Sequence, residues 1–298
     1  MKNGIQWIAA DWGTTHLRCW AMGEDCEILA KAESGDGMAK VVADLEGDFE
    51  GALLRLVNPW LEVGGNISVH ACGMVGAKTG WMEVPYQAIP CSPSTPLAQM
   101  PVASEGLEVF VHGGLMQLDP ADVMRGEETL LAGLLAKEPG FAGLVCLPGT
   151  HSKWVEIRDG KVIRFQTFMT GELFSLLSEK SVLSQTLDCG EWDKGGFLEG
   201  LESSWQNPSG WLPGLFSLRA ESLLEGLRNK VARSRLSGIL LGCELSSVLE
   251  ARSLGKVALV STGELGDSYR LALLTLGAKV TDYLPEELVI AGLSKGVV

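Results

Sequence analysis

The chain has 298 residues, 46% of them hydrophobic and 20% charged, enough to bury a full core and, at roughly 100–200 residues per domain, two of them; intrinsic disorder is excluded. A formal net charge of −13 argues against a nucleic-acid surface, which needs clustered Lys and Arg, so an anionic ligand has to be held locally by loops and helix ends. Seven cysteines stand singly without a Cys-x-x-Cys pair, no apolar run reaches the roughly 18–20 residues that span a bilayer, and no basic-then-apolar leader opens the chain, so a reducing, cytoplasmic protein without a membrane partner is expected.

In chain order, Ile5-Gln6-Trp7-Ile8-Ala9-Ala10 reads as a buried strand that delivers Asp11 to its end, and His16-Leu17-Arg18-Cys19-Trp20 returns antiparallel. A strand over 26–33, a helix over 38–56 and strands over 67–72 and 107–111 follow, an α/β part that begins with antiparallel pairs. A helix is expected over 127–137, then a second strand-turn-strand unit in which 143–147 is apolar, 153–157 alternates and Arg158-Asp159-Gly160-Lys161 turns into 162–168. Residues 172–249 read as helix-rich, followed by a strand over 257–260 and helices over 267–276 and 285–293. A boundary near Pro120 divides the chain into lobes 1–120 and 121–298, with 90–101 the other loop candidate. Only four His are present, none spaced with another His or a Cys as ligands, so no protein-bound zinc is expected.

Three glycine-hinged segments carry the chemistry: Asp11-Trp12-Gly13-Thr14-Thr15, Pro148-Gly149-Thr150-His151-Ser152-Lys153 and Ser261-Thr262-Gly263-Glu264-Leu265. Each follows an apolar strand and puts small residues and hydroxyls at the turn, where backbone N–H groups can approach phosphate without a Cβ in the way. Asp11 can hold Mg²⁺, directly or through water, and Thr14 and Thr15 offer hydroxyl and amide donors. An Asp hairpin turn held by its own side-chain bonds is the plainer alternative. Lys153 and His151 can both reach a polyphosphate, although a Lys in an alternating strand is ordinarily solvated and His151 serves equally as a turn residue. Together the three segments suggest a composite ATP site. Lys78-Thr79 invites comparison with a phosphate-binding loop of the Walker A kind, but Ala77 stands where that loop needs glycine.

The order Asp-Trp-Gly-Thr-Thr, Gly-Thr-His-Ser-Lys, Ser-Thr-Gly-Glu-Leu resembles the phosphate 1, phosphate 2 and adenosine motifs of the sugar kinase, actin and Hsp70 superfamily. Met124-Arg125-Gly126-Glu127-Glu128-Thr129, Leu147-Pro148-Gly149-Thr150-His151-Ser152-Lys153-Trp154, Met169-Thr170-Gly171-Glu172-Leu173 and Gly73-Met74-Val75-Gly76 with Gly80-Trp81 and Val84-Pro85-Tyr86 resemble those of 2-dehydro-3-deoxygalactonokinases, nearly end to end. The resemblance implies a two-lobed ribonuclease H-like (actin-like ATPase) fold, each lobe a mixed five-stranded sheet flanked by helices, with a cleft between lobes closing over sugar and Mg·ATP. It implies transfer of the ATP γ-phosphoryl to the 6-hydroxyl of 2-dehydro-3-deoxy-D-galactonate in galactonate catabolism.

Such a transfer needs in-line positioning, neutralised oxygens and a carboxylate for the hydroxyl proton. Related carbohydrate kinases carry Gly-Asp where this chain has Gly126-Glu127, so Glu127 is the candidate base. Glu128 sits beside it, and helix neighbours diverge by about 100°, so one of the two faces the substrate; both also suit a helix's first turn against the macrodipole. Arg125 is the candidate for the substrate carboxylate, unless it pairs at the surface with Asp122 or Glu128, and Arg18 is the second. Gly73 and Gly76 can bring backbone to the sugar, and Trp81 or Tyr86 can wall it. Gly263, Thr262 and Gly242, the last on a glycine-lined helix face over 238–244, are candidates for the nucleoside, with close helix packing the plain account of Gly242. ATP and Mg²⁺ are the expected cofactors, and a homodimer is left open. The rivals are a same-fold kinase for another sugar acid and a non-catalytic sugar sensor. Sensors of this superfamily often carry a DNA-binding extension, and a chain opening on the first phosphate strand with an acidic balance favours turnover.

Overall fold

Trp7–Trp12 (β1) is apolar on both sides, and its alternate residues enter two different cores, as a period of two requires of a strand covered on each face. Ile8, Ala10 and Trp12 meet Val41, Phe49 and Leu53, whereas Trp7 and Ala9 meet Val289, Ile290 and Leu293. The structure is a computed structural model, and it describes residues 4–61, 65–187, 192–249 and 255–297. The chain divides into two compact units. The first comprises Met1–Ala142, Glu156–Phe165 and Leu284–Val298; the second comprises Gly143–Val155 and Gln166–Tyr283.

In the first unit β1 is followed by Leu17–Met22 (β2), Ile28–Ser34 (β3), helices Met38–Asp44 (α1) and Phe49–Val57 (α2), and Ile67–Cys72 (β4). Short strands Gln87–Ala88 (β5) and Leu97–Gln99 (β6) precede Leu107–His112 (β7), Leu115–Leu118 (β8), Ala121–Met124 (β9) and helix Glu127–Lys137 (α3). One sheet has the order β3-β2-β1-β4-β7-β6, and β5-β8-β9 form a smaller one. Strands β1, β4 and β7 are parallel, with Asp11 opposite Cys72 and Ala71 opposite Val111. Their carboxyl ends therefore share one edge, which is where open α/β sheets bind ligands.

The expected helix over 38–56 is two helices. Glu46 and Gly47 turn left-handed, with φ of 52° and 78°, and the side chain of Asp48 then caps the next helix by accepting from the Gly51 N–H at 2.8 Å. The strand expected from residue 26 starts at Ile28, because Glu24–Cys26 forms a 3₁₀ turn. Strand β6 extends the expected five strands of this sheet by one short edge strand.

The second unit contains the strand Gly143–Leu147 (β10) and a hairpin of Ser152–Arg158 (β11) with Lys161–Phe168 (β12), whose tip belongs to the first unit. Helices Thr170–Lys180 (α4), Lys194–Gln206 (α5), Trp211–Leu224 (α6) and Asn229–Leu249 (α7) follow, then Lys256–Val260 (β13), Gly263–Thr275 (α8) and Lys279–Tyr283 (β14). The sheet order is β12-β11-β10-β13-β14. Helix α5 lies directly on α7 because glycines face the contact: a Cβ on Gly238 would sit 2.0 Å from the Phe197 carbonyl oxygen, and one on Gly200 2.2 Å from that of Arg235. The last helix, Pro285–Leu293 (α9), belongs to the first unit. Among the described residues no helix is long and apolar enough to cross a membrane.

Candidate active site

At the carboxyl edge of the first unit's sheet, a pocket of about 200 Å³ is lined by Asp11, Gly13, Arg18, Gly73, Arg125 and Glu127. Met74, Leu130 and Val289 give it an apolar side, and Glu286 stands at the start of α9. The topology explains the convergence. Asp11 ends β1, Arg18 is its direct cross-strand partner on β2, and Gly73 follows β4 in register beside them. Helices α3 and α9 are drawn together by two glycines, since a Cβ on Gly133 would lie 1.9 Å from the Leu288 carbonyl oxygen and one on Gly292 2.1 Å from that of Thr129. Glu127 and Leu130 of α3 and Pro285, Glu286 and Val289 of α9 line the pocket.

Gly126, before α3, has φ of 106°, a conformation that side chains resist. A Cβ there would come 3.2 Å from the Cα of Gly73, itself at φ of 97°. These two left-handed residues let the β4 and β9 turns touch. The two acidic residues of α3 then part, as helical geometry demands. Glu127 lines the pocket, and its Oε2 accepts from the Arg125 N–H at 3.1 Å. Glu128 is fully buried, and both of its oxygens accept from the Gly126 N–H, at 2.9 and 2.7 Å. Burial, reinforced by the neighbouring Glu127 charge, raises the Glu128 carboxyl to about 8, so it is largely protonated at neutral pH. Asp11 is also pushed up by burial, against the pull of Arg18, with which it forms an ion pair.

Arg125 is buried and is not a surface partner of Asp122. Its Nη2 donates to the Val84 carbonyl at 2.7 Å, and its guanidinium lies 4.2 Å from the centre of the Tyr86 ring. Among the described residues Nη1 is buried and has no hydrogen-bond partner. A charged fork held on two sides with one corner unsatisfied, at the wall of a pocket, is suited to an anionic group of a ligand. Gly76 is buried close to Nη1, with space for no Cβ. Trp81 packs on Phe49 and Trp12 in the core and does not line this pocket.

Thr14 and Thr15 are exposed on the β1–β2 turn, where the Gly13 N–H bonds to the His16 carbonyl at 3.0 Å. In the second unit Gly149 and Thr150 form the turn before β11. The Glu172 N–H closes on the Thr150 carbonyl at 3.0 Å, and His151 bonds to the Glu172 carboxylate at 2.5 Å. Lys153 is not a solvated strand residue: it is 6% exposed, and its Nζ donates to the His151 carbonyl at 3.3 Å. Thr262 and Gly263 are exposed at the start of α8, and Gly263 has φ of 70°. Gly242 faces α5, where a Cβ would meet the Leu201 carbonyl oxygen at 2.6 Å, so helix packing accounts for it.

Sequence reasoning passed over Leu130, Glu286 and Val289 of this pocket, and Glu244 in the second unit. No local signal links α9 to a strand nearly the whole chain away. Glu244 was findable: it falls at helical spacing among Leu240, Leu241, Leu245 and Val248, on a face that has to be buried.

A model of the 2-keto-3-deoxy-galactonokinase family matches residues 11–295. A curated Rhizobium meliloti (strain 1021) protein, named "Probable 2-dehydro-3-deoxygalactonokinase DgoK1", is 36% identical over 99% of this chain and 97% of its own length. The Escherichia coli (strain K12) 2-dehydro-3-deoxygalactonokinase is 34% identical over 93% of this chain and 92% of its own. The crystal structure of "a putative 2-dehydro-3-deoxygalactonokinase protein" from Sinorhizobium meliloti, 36% identical, superposes with a TM-score of 0.88 over 97% of this chain and 95% of that one. At 12% identity and a TM-score of 0.50, the ADPNP-bound activator of 2-hydroxyisocaproyl-CoA dehydratase from Clostridium difficile shares the fold, covering 96% of this chain and 92% of that one. The fold is the ribonuclease H-like, actin-like ATPase fold of sugar kinases, and the chain belongs to the 2-keto-3-deoxy-galactonokinase family.

Proposed function

We propose that this chain transfers the γ-phosphoryl of Mg·ATP to the 6-hydroxyl of 2-dehydro-3-deoxy-D-galactonate. The observation that carries the reading is Arg125, whose buried Nη1 lacks a partner among the described residues, at the wall of a pocket that is also lined by the base candidate Glu127. A sugar acid has both features such a site asks for, a carboxylate for the guanidinium and a hydroxyl for the base. In this assignment Arg125 anchors the carboxylate, held in its plane by Tyr86; Gly73 brings main chain close to the sugar, and Gly76 leaves room for the Arg125 guanidinium. Glu127 accepts the proton of the attacking hydroxyl, and Glu128, buried and largely protonated, supports the turn that presents Glu127 without adding a second negative charge. Arg18 serves the substrate as a second cation.

Phosphoryl transfer asks little covalent chemistry of a protein and depends on positioning and charge. In the first unit, Gly13, Thr14 and Thr15 are assigned to ATP phosphates. In the second, Gly149, Thr150 and Lys153 carry the same assignment, and Thr262 and Gly263 the nucleoside. Magnesium takes oxygen ligands and is usually held by one or two carboxylates plus substrate phosphates. Asp11, an acidic group at the edge of the pocket, fits that pattern and would hold the ion, which neutralises charge on the transferring phosphoryl. Six described cysteines without a disulfide agree with a reducing compartment, and we place the reaction in the cytoplasm.

The test is an ADP-release assay with Mg·ATP across 2-dehydro-3-deoxy-D-galactonate, its gluconate epimer, D-galactonate, galactose and glycerol. Turnover on the first alone is expected. Turnover on another member alone would overturn the substrate assignment, and sugar binding without turnover on any would favour a sensor.

A further inference from the structure

Resting on the reading that the second unit's turn and helix start meet ATP, we propose that Glu244 is the positioning residue for the nucleotide contacts of that unit. Glu244 lies within α7 and is 2% exposed. Its carboxylate accepts from the Ser152 hydroxyl at 2.9 Å, the Trp154 indole N–H at 2.7 Å and the Tyr269 hydroxyl at 2.9 and 3.0 Å. The Thr170 hydroxyl donates to it as well. No basic side chain pairs with it among the described residues. A carboxylate offers about four acceptor positions, and four donors occupy them here. An unpaired buried carboxylate is costly, so the donors are what keep it there.

These donors sit at selected places. Ser152 and Trp154 lie on one face of β11, immediately after the Gly149–Thr150 turn, with Lys153 on the opposite face. Thr170 opens α4, whose Gly171 rests against that turn: a Cβ there would be 2.5 Å from the Gly149 carbonyl oxygen. Tyr269 lies on α8, the helix that begins at Gly263. One carboxylate thus ties together the strand leaving the phosphate turn, the helix that backs the turn and the helix that opens at the nucleoside segment. Apolar packing alone would hold these elements without the desolvation penalty. The polar hub adds direction, fixing the rotation of β11 and the axial position of α8 relative to α4.

The experiment is calorimetric titration of the full chain with Mg·ADP and, separately, with 2-dehydro-3-deoxy-D-galactonate. Ser152→Ala removes one donor and leaves three, so the fold is retained. It is expected to weaken Mg·ADP about tenfold and to leave the sugar acid unchanged. Glu244→Leu is expected to weaken Mg·ADP further. Glu244→Gln is expected to stay within about threefold of wild type, because the Ser152 and Thr170 hydroxyls can turn to accept from the amide while Trp154 and Tyr269 donate to its oxygen. The proposal is overturned if Ser152→Ala and Glu244→Leu bind Mg·ADP as the wild type does, or if they lose Mg·ADP and sugar acid in equal proportion, as a general loosening would require. A wild-type chain that binds no Mg·ADP refutes the kinase reading itself, and this inference with it.

Discussion

Replacing Glu128 by Gln should flatten the fall in stability that the wild-type chain shows between pH 5 and pH 7. The folded carboxyl is held near 8, while its unperturbed value is 4.5. Between those values the native state keeps a proton that the unfolded chain has released, so stability falls as pH rises; it is fully present below about 4.5 and lost on the way to about 8. Integrated at about 1.4 kcal/mol per pH unit, the loss from pH 5 to pH 7 is about 2.5 kcal/mol for this group. Gln copies the protonated form: its oxygen can take the Gly126 N–H, and its amide can face the Thr129 hydroxyl, which lies 3.4 Å from the carboxyl. Other carboxylates titrate in both proteins, so the decisive quantity is the difference between wild type and variant. Urea unfolding at pH 5, 6, 7 and 8 measures it. The variant should gain on the wild type by about 2.5 kcal/mol from pH 5 to pH 7; parallel profiles would refute the claim that Glu128 is buried with its proton.

Further outcomes follow from the same geometry. Glu127→Gln should lower kcat by roughly 10²–10⁴-fold, the usual worth of a general base, and leave sugar-acid binding intact by calorimetry; retained turnover would move the base to another carboxylate. Arg125→Lys keeps the charge but loses the planar fork, and should raise KM for the sugar acid by about tenfold or more without changing KM for ATP. Asp11→Asn should raise the Mg²⁺ concentration needed for half-maximal rate, with sugar binding unchanged. Gly133→Ala drives a methyl into the Leu288 carbonyl and should cost roughly 1–3 kcal/mol in urea unfolding, because backbone atoms of α9 have to move.

Much of this was legible in the sequence. Apolar runs bounded by Gly and Pro place β1, β4, β10 and β13 within a residue or two, and helices α3 and α9 emerge with the expected ends. The divergence of Glu127 and Glu128 follows from helical geometry alone. The break between α1 and α2 was written in Glu46-Gly47-Asp48, a stop followed by a cap, but apolar periodicity on both sides hides it. Strands β5, β6, β8 and β9 run for two to four residues, too short for a period to register, and β14 is a partly exposed edge strand with charged residues. The burial of Lys153 runs against the alternating pattern of its strand, and the packing of Trp81 on Phe49 depends on a partner distant in the chain. The same holds for α9, whose contact with α3 is carried by backbone against glycine.

The central claim is that a sugar acid anchored by Arg125 presents its terminal hydroxyl to Glu127 for phosphorylation. The direct measurement is the phosphorus–carbon coupling in the NMR spectrum of the product formed from Mg·ATP and 2-dehydro-3-deoxy-D-galactonate. Coupling to carbon 6, formed by the wild type and lost with Glu127→Gln, is the expected result. Phosphate on another carbon, or full product formation by the variant, would contradict it.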